Sequence, residues 1–572
     1  MSPDTRQPSP EAVVIGAGLA GLAAAAHLAE RGVPVLLLEA DSLYPGGRLW
    51  GGRPLPLPPS PPPAPIRSRG RGGSAGAGEW GEAACAPLSG ATVTLNGLTR
   101  TFYPEHGVHG LWNEYHNLRA TLERLGIAPE VILAEEEEWI HGEGGRIRRV
   151  EIGSAIRDAF LPAPLHYLEL FTRPGFLAML GPREWLSLPG VWYSLLLAVA
   201  LDPFGRGISL EGQTLTQFFR GWSPRVAALF TGLARNSLAA RTAETPLASF
   251  IAFLRFYTLL RRDAWRFSYL TTDPGTALIQ PLVERICARQ GRLLLGAAVD
   301  GLTPYPCPLP PLPTGEGRGV APQEPGWRVR FHTRLGLRTF FASHVILAVD
   351  APAARRLLCE SQATRPEAEK LTWPNGQPSA VVRAWLDVRP RPGPEAGIFT
   401  GDFVADNFFW LHYLQRDFVE WAQATGGSAV EMHIYGPADF LAQPDAVVLA
   451  RAITDLYRAF PELRGHLRAH SLQRNAPTHS RLVVDRPERW LGVRTPWPNL
   501  WACGDWVRGP WPCLFLERAC VSGIEAANAV LESLDLEPFP VLDYSEPEWL
   551  AGKIQHWLLG GRGWLRRVLK RA

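Results

Sequence analysis

The sequence predicts an α/β protein in which a parallel sheet covered by helices is cut into segments and interleaved with an α+β second domain. Residues 12–39 run strand, glycine turn, helix, strand, and residues 499–531 repeat the order of strand, glycine and helix near the other end. The block 151–270 lacks that order and is helical in pattern, apolar and aromatic. At 572 residues the chain also exceeds what one hydrophobic core usually serves.

Ala12 to Ile15 reads as a short apolar strand. Gly16, Gly18 and Gly21 follow at the spacing that supplies a tight turn, close backbone approach to a pyrophosphate, and close packing of helix on strand. The helix Leu22 to Arg31, ended by Gly32, aims its unpaired N-terminal amides and positive dipole end at that anion. Val33 to Leu38 is the second parallel strand. Glu39 at its tip stands where a carboxylate accepts hydrogen bonds from both ribose hydroxyls of an adenosine. An acid there repels a 2′-phosphate, which argues against NADP. Leu19 and Ala20 in the turn, and Ala40 after the acid, complete the contact set expected of a Rossmann-like unit for an adenine dinucleotide.

Gly46, Gly47 and Arg48 favour FAD over NAD, because a second glycine turn carrying a fixed cation can embrace the far phosphate of an extended FAD. This run resembles the glycine-glycine-arginine element of the amine oxidase and phytoene desaturase superfamily of flavoproteins. Leu500 to Cys503 reads as a strand leading into Gly504 and Asp505, a pair similar to the superfamily's C-terminal flavin element. The resemblance implies that Gly504 lets backbone approach the cofactor and that Asp505 hydrogen-bonds the ribityl chain or nearby phosphate amides. Small residues Ala519, Ser522, Gly523, Ala526 and Ala527 would let the next helix pack tightly beneath. The two ends of the chain must then meet in space.

Ala91 to Leu95 and Arg100 to Tyr103 form an expected hairpin around Asn96 and Gly97. The following run, with His106, Gly107, His109, Gly110, Tyr115 and Asn117, resembles the corresponding segment of carotene desaturases of the ζ-carotene and isorenieratene synthase types. Pro274, Gly275, a helix over 278–289, Gly291 and a strand ending at Val299 resemble the superfamily's central segment, which implies a backbone contact from Val299 to adenine. The expected map is a Rossmann-like FAD-binding domain of residues 11–52, 88–150, 271–350 and 491–535, interleaved with an α+β substrate domain of 151–270 and 351–490. Residues 53–87 and 303–325 are Pro/Gly-rich or proline-rich insertions without the means to build a core, and 536–572 is a basic amphipathic tail.

Net charge of +3 supplies no field for nucleic acid, and no partner of that kind is expected. Seven cysteines without paired two-residue spacings indicate neither zinc nor a disulfide framework, and so a reducing cytoplasm; no metal is expected. The polar, proline-rich residues before the first strand leave no room for a signal peptide. The tail interleaves Trp549, Leu550, Ile554, Trp557 and Leu558 with Lys553, Arg562, Arg566 and Arg567, the composition of a basic interfacial helix broken over 560–563. A peripheral membrane association is expected from it, with docking on the protein's own surface as the alternative.

Flavin oxidation of a substrate needs a C–H bond held against the ring and water kept out. Amine oxidases of the superfamily typically add a lysine near the flavin, yet this chain has no lysine before Lys370. A polyene needs instead a long apolar channel, which 21 tryptophans and 24 phenylalanines can line. The leading expectation is an FAD-dependent, carotenoid desaturase-like oxidoreductase that takes hydride from an apolar isoprenoid and passes electrons to quinone or oxygen. Isomerisation, ring aromatisation with methyl shift, reduction of a squalene-type alcohol, amine oxidation and a non-catalytic flavin scaffold stay open. His106, His109, Glu517 and Arg518 are the polar residues expected nearest the reactive side, without assigned roles.

Overall fold

The computed structural model describes residues 11–52, 90–203, 210, 212–238, 241–305, 326–481 and 489–569, with side chains as far as residue 559. The insertion 53–87 and residues 306–325 of the second insertion lie outside them, while 303–305 complete the strand Ala298–Tyr305.

Four separated segments build the first sheet. Its strands lie in the order Gly291–Leu294, Val35–Leu38, Ala12–Ile15, His344–Leu347, Leu500–Ala502, all parallel. The strands are continuously apolar because both faces are covered. Val13, Ile15, Leu36, Leu38, Val345 and Leu347 point to one core with Trp327 and Phe331. The alternate residues Ala12, Val14, Val35, Leu37 and Ile346 point to the other, under the helices Leu19–Glu30 and Phe515–Ser533. Those two helices cross closely: a Cβ on Gly523 would sit 2.4 Å from the Ala20 carbonyl. The N-terminal and C-terminal segments therefore share one sheet and one helix layer.

A seven-stranded sheet forms the second unit, in the order Leu467–Arg481, Asn375–Leu386, Ser428–Ile434, Asn407–Trp410, Ala396–Gly401, Glu137–Glu143, Arg146–Glu151. Here the structure departs from the expected map. Residues 137–150 were expected in the FAD-binding and flavin-adjacent segment 88–150, but Glu137–Glu143 pairs in parallel with Ala396–Gly401, and Arg146–Glu151 pairs with it, so both strands belong to the second sheet. The hairpin Ala91–Leu95/Leu98–Phe102 also packs there, on Trp385, Phe418 and Trp421. One face of the sheet is a core of Val382, Ala384, Val430, Met432, Ile434 and Phe408 under the helix Asp445–Ala459.

Helices from 153 to 260 cover this unit, among them Pro182–Ala200 and Pro224–Leu238. The C-terminal helix Trp549–Leu569 packs against Pro182–Ala200. It runs on through residues 560–563, where a glycine break was expected: uncapped glycines weaken a helix by about 1 kcal/mol each without ending it. Among the described residues no helix is long and apolar enough to cross a membrane.

Candidate functional site

A cavity of about 940 Å³ lies where the two units meet. It extends from Glu39 and Val299, past the glycine turns, to the inner face of the seven-stranded sheet and a wall of Trp112, Trp265 and Phe267.

The first turn explains its glycines individually. Gly16 has φ of 104°, and a Cβ there would lie 2.7 Å from the Ala348 carbonyl oxygen. On Gly21 a Cβ would lie 2.0 Å from the Gly16 oxygen, so this residue serves packing and does not face the cavity. Gly18 differs, since its added Cβ meets nothing within 4 Å, and with Leu19 and Ala20 it lines the cavity. The helix Leu19–Glu30 that begins here has no side-chain cap and no acid in its first turn, so its leading amides are available to an anion. Gly46 (φ 117°) and Gly47 (φ 57°) form the second turn, and Gly46 bridges to Gly18.

Glu39 and Ala40 stand at one end of the cavity. The Glu39 carboxylate accepts the amides of Ala17 (2.8 Å) and Asp41 (2.9 Å), and burial raises its pKa. From the chain's opposite ends, Arg48 and Asp505 meet in an ion pair of 2.8 Å, and Ser480 donates to Asp505 at 2.9 Å. Burial works against the Asp505 carboxylate, but Arg48 and Ser480 outweigh it and hold its pKa below the usual range. Gly504 (φ 142°) exchanges hydrogen bonds with the Ser522 hydroxyl through both its amide and its carbonyl. The residues expected to hold FAD, Gly21 apart, thus line one continuous wall. The open cradle at Gly18 and the uncapped amides fit an extended dinucleotide.

His106 and His109 also line the cavity. Burial, with nearby cationic and imidazole groups, keeps both neutral; His109 is lowered to about 4. Glu517 and Arg518, by contrast, do not reach the cavity, which corrects the expectation for them. Leu516 and Ala519 point into it, and at 100° per residue the two positions between them face elsewhere. Glu517 accepts the amides of Asn117 (2.8 Å) and Leu118 (3.0 Å), capping the helix His116–Arg124, and Arg518 donates to the Val507 carbonyl (2.9 Å).

Sequence reasoning missed a buried polar network on the cavity side of the second sheet. Glu431 accepts from Arg383 Nε (2.7 Å), the Val108 amide (2.8 Å) and His433 Nε2 (2.7 Å). His433 Nδ1 meets the Tyr435 hydroxyl at 3.0 Å, and Arg383 also reaches Glu105, to which Gln415 donates. Burial alone would raise Glu431, but Arg383 and His433 outweigh it and keep it ionised. Burial, with Glu431 competing for the same guanidinium, pushes Glu105 up. Gly107 makes the network possible: a Cβ there would sit 2.8 Å from His433 Nε2. The available signal was the alternation Glu431, His433, Tyr435 in a strand otherwise apolar. His479, lowered to about 4 by burial and Arg48, joins the same wall. Lys370 is at the surface, 67% exposed and paired with Glu367.

Comparison with known proteins agrees with this architecture. Residues 11–144 match the FAD dependent oxidoreductase family, and residues 92–531 match the flavin containing amine oxidoreductase family. Two curated relatives are each named carotenoid phi-ring synthase. That of Streptomyces griseus is 28% identical, covering 92% of this chain and 88% of its own, and that of Chlorobaculum tepidum is 23% identical, covering 93% and 90%. Among solved structures, cyclohexylamine oxidase from Brevibacterium oxydans shares the fold with a TM-score of 0.58 at 15% identity, over 92% of this chain and all of that one. The chain belongs to the flavin containing amine oxidoreductase family and is an FAD-dependent oxidoreductase.

Proposed function

We propose that this enzyme is carotenoid desaturase-like, removing hydride from a long apolar isoprenoid, with a carotenoid end ring as the reacting part. The observation that carries the reading is the far end of the cavity, walled by Trp112, Phe253, Trp265, Phe267 and Phe515 and, among the described residues, lined by no lysine. A ring and polyene suit such a wall, and an amine loses the lysine that related oxidases place near the flavin. The two relatives named carotenoid phi-ring synthase support the same class.

In this reading Glu39 accepts the adenosine ribose hydroxyls, the Val299 backbone meets adenine, and the amides from Gly18 to Ala20 with Gly46, Gly47 and Arg48 hold the pyrophosphate. Gly504 and Asp505 face the ribityl side. Bound FAD supplies the hydride acceptor, and the protein supplies position and dryness. Quinone or oxygen takes the electrons onward.

We further propose that the enzyme rests on the cytoplasmic face of a bilayer, where its substrate dissolves. Leu186 (82% exposed) and Tyr193 on one helix, and Trp549 and Trp557 (75% exposed) on the helix packed against it, hold large apolar surface in solvent. Basic residues of the tail complement anionic lipid.

Expression in cells that accumulate β-carotene or γ-carotene, with chromatography of the pigments, tests the reading. A product with a shifted absorption maximum and fewer hydrogens is expected. Unchanged pigment in cells containing the flavin-loaded enzyme would overturn it.

A further inference from the structure

We propose that Tyr435, His433 and Glu431 form a proton relay opening into the cavity, with Tyr435 as the catalytic base that takes the proton a substrate sheds when it loses hydride. The inference rests on the desaturase reading and adds to it the group that handles the proton.

Hydrogen-bond direction follows from the partners. Glu431, an acceptor only, already receives Arg383 Nε and the Val108 amide, so His433 must present Nε2–H to it. In the neutral imidazole Nδ1 is then the lone pair, and the Tyr435 hydroxyl donates to it. Asn407 donates to one lone pair of the Tyr435 oxygen, and the other is left for the cavity, which this residue lines together with His433. The order is that of a base whose own proton has somewhere to go.

The sheet builds this arrangement. Glu431 and His433 lie two apart on the strand Ser428–Ile434, with Tyr435 two further on, while Val430, Met432 and Ile434 fill the core behind. Arg383 stands directly across from Glu431 in register, and Asn407 across from His433. Titratable groups around the relay include Arg383 and, through it, Glu105; His106 and His109 across the cavity; His479, with its ring centroid 6.0 Å from that of Tyr435; and Asp406, which pairs with Arg235 (2.7 Å). None of them lies between Tyr435 and His433 in the hydrogen-bonded chain.

The balance of one desaturation is as follows. One substrate C–H bond breaks with its electron pair leaving as hydride to FAD. The neighbouring C–H bond breaks with its pair forming the new C=C. The Tyr435 oxygen takes that proton while its own passes to His433 Nδ1, and the imidazolium is held by ionised Glu431. Two rounds, with a methyl shift between neighbouring ring carbons, convert a trimethylcyclohexenyl end ring to an arene and release two hydrides and two protons.

The test uses FAD-loaded enzyme and β-carotene in phosphatidylglycerol vesicles. Tyr435→Phe is expected to keep FAD content and carotenoid affinity, read by tryptophan quenching, within about two-fold of the parent. Anaerobic flavin reduction should slow by about 10²–10⁴-fold, as for loss of a general base, and lose its solvent isotope effect. His433→Gln should behave alike. In ¹⁵N-histidine spectra the parent's His433 should be the Nε2–H tautomer, and Tyr435→Phe should shift its Nδ1 signal. A variant that reduces flavin at the parental rate, or whose loss merely follows lost FAD, would overturn the relay alone. A parent that binds FAD and carotenoid without flavin reduction would overturn the desaturase reading and the relay together.

Discussion

Gly18 and Gly21 sit three residues apart in the same turn, and replacing each with alanine should produce opposite phenotypes. A Cβ on Gly21 would lie 2.0 Å from the Gly16 oxygen, far inside the 3.4 Å at which ordinary contact begins, and that oxygen belongs to the backbone and not to a flexible side chain. Forcing that overlap costs about 3 kcal/mol, or a fall of roughly 2–3 °C in Tm for a chain whose unfolding entropy is about 2.1 cal/mol/K per residue. A Cβ on Gly18 meets no atom within 4 Å, so Gly18→Ala should leave the apoprotein's Tm unchanged. Its methyl would occupy the space through which the pyrophosphate approaches the helix amides. Losing one charge-assisted hydrogen bond costs about 1.5–3 kcal/mol, or roughly 10–150-fold in FAD affinity. Thermal melts of the stripped proteins and titration with FAD, followed by flavin fluorescence, measure both quantities. Parental FAD affinity in Gly18→Ala, or a parental melting temperature in Gly21→Ala, would refute the division of labour.

Other outcomes follow from buried charge and exposed surface. His27 donates to the Ala23 carbonyl (2.7 Å) and accepts from Arg124, and burial with Arg124 lowers its pKa from 6.5 to about 3. A folded pKa below the unfolded one gives stability that is present above 6.5 and lost as pH falls toward 3. Urea unfolding should therefore show the parent's advantage over His27→Gln shrinking by about 2 kcal/mol between pH 7 and pH 5. Glu517→Ala, which uncaps the helix His116–Arg124 and strands buried amides, should cost about 2–4 kcal/mol by the same method while leaving the rate per bound flavin unchanged. Leu186→Glu combined with Trp557→Glu should weaken flotation with anionic vesicles about ten-fold or more without altering flavin content.

The glycine turns that line the cavity were legible because single residues carry their geometry. Gly16, Gly46 and Gly504 hold positive φ, and Gly21 permits a backbone contact, so each leaves its mark in the sequence itself. The meeting of Arg48 with Asp505 followed once both ends were read as one site. Membership of 137–151 in the second sheet was not legible, since parallel pairing with Ala396–Gly401 leaves no local trace. Glu517 was misjudged by helical phase, a matter of one residue. The relay strand was obscured for another reason: with both faces buried, its polar alternation reads as an irregular apolar run unless the period of two is sought.

The central claim is that both ends of the chain hold FAD against an apolar cavity shaped for a carotenoid. Anaerobic mixing of the yellow holoenzyme with β-carotene or γ-carotene vesicles, beside a panel of primary amines, tests it most directly. The account predicts that flavin absorbance bleaches with carotenoid and persists with every amine. Bleaching by an amine, with carotenoid inert, would contradict it.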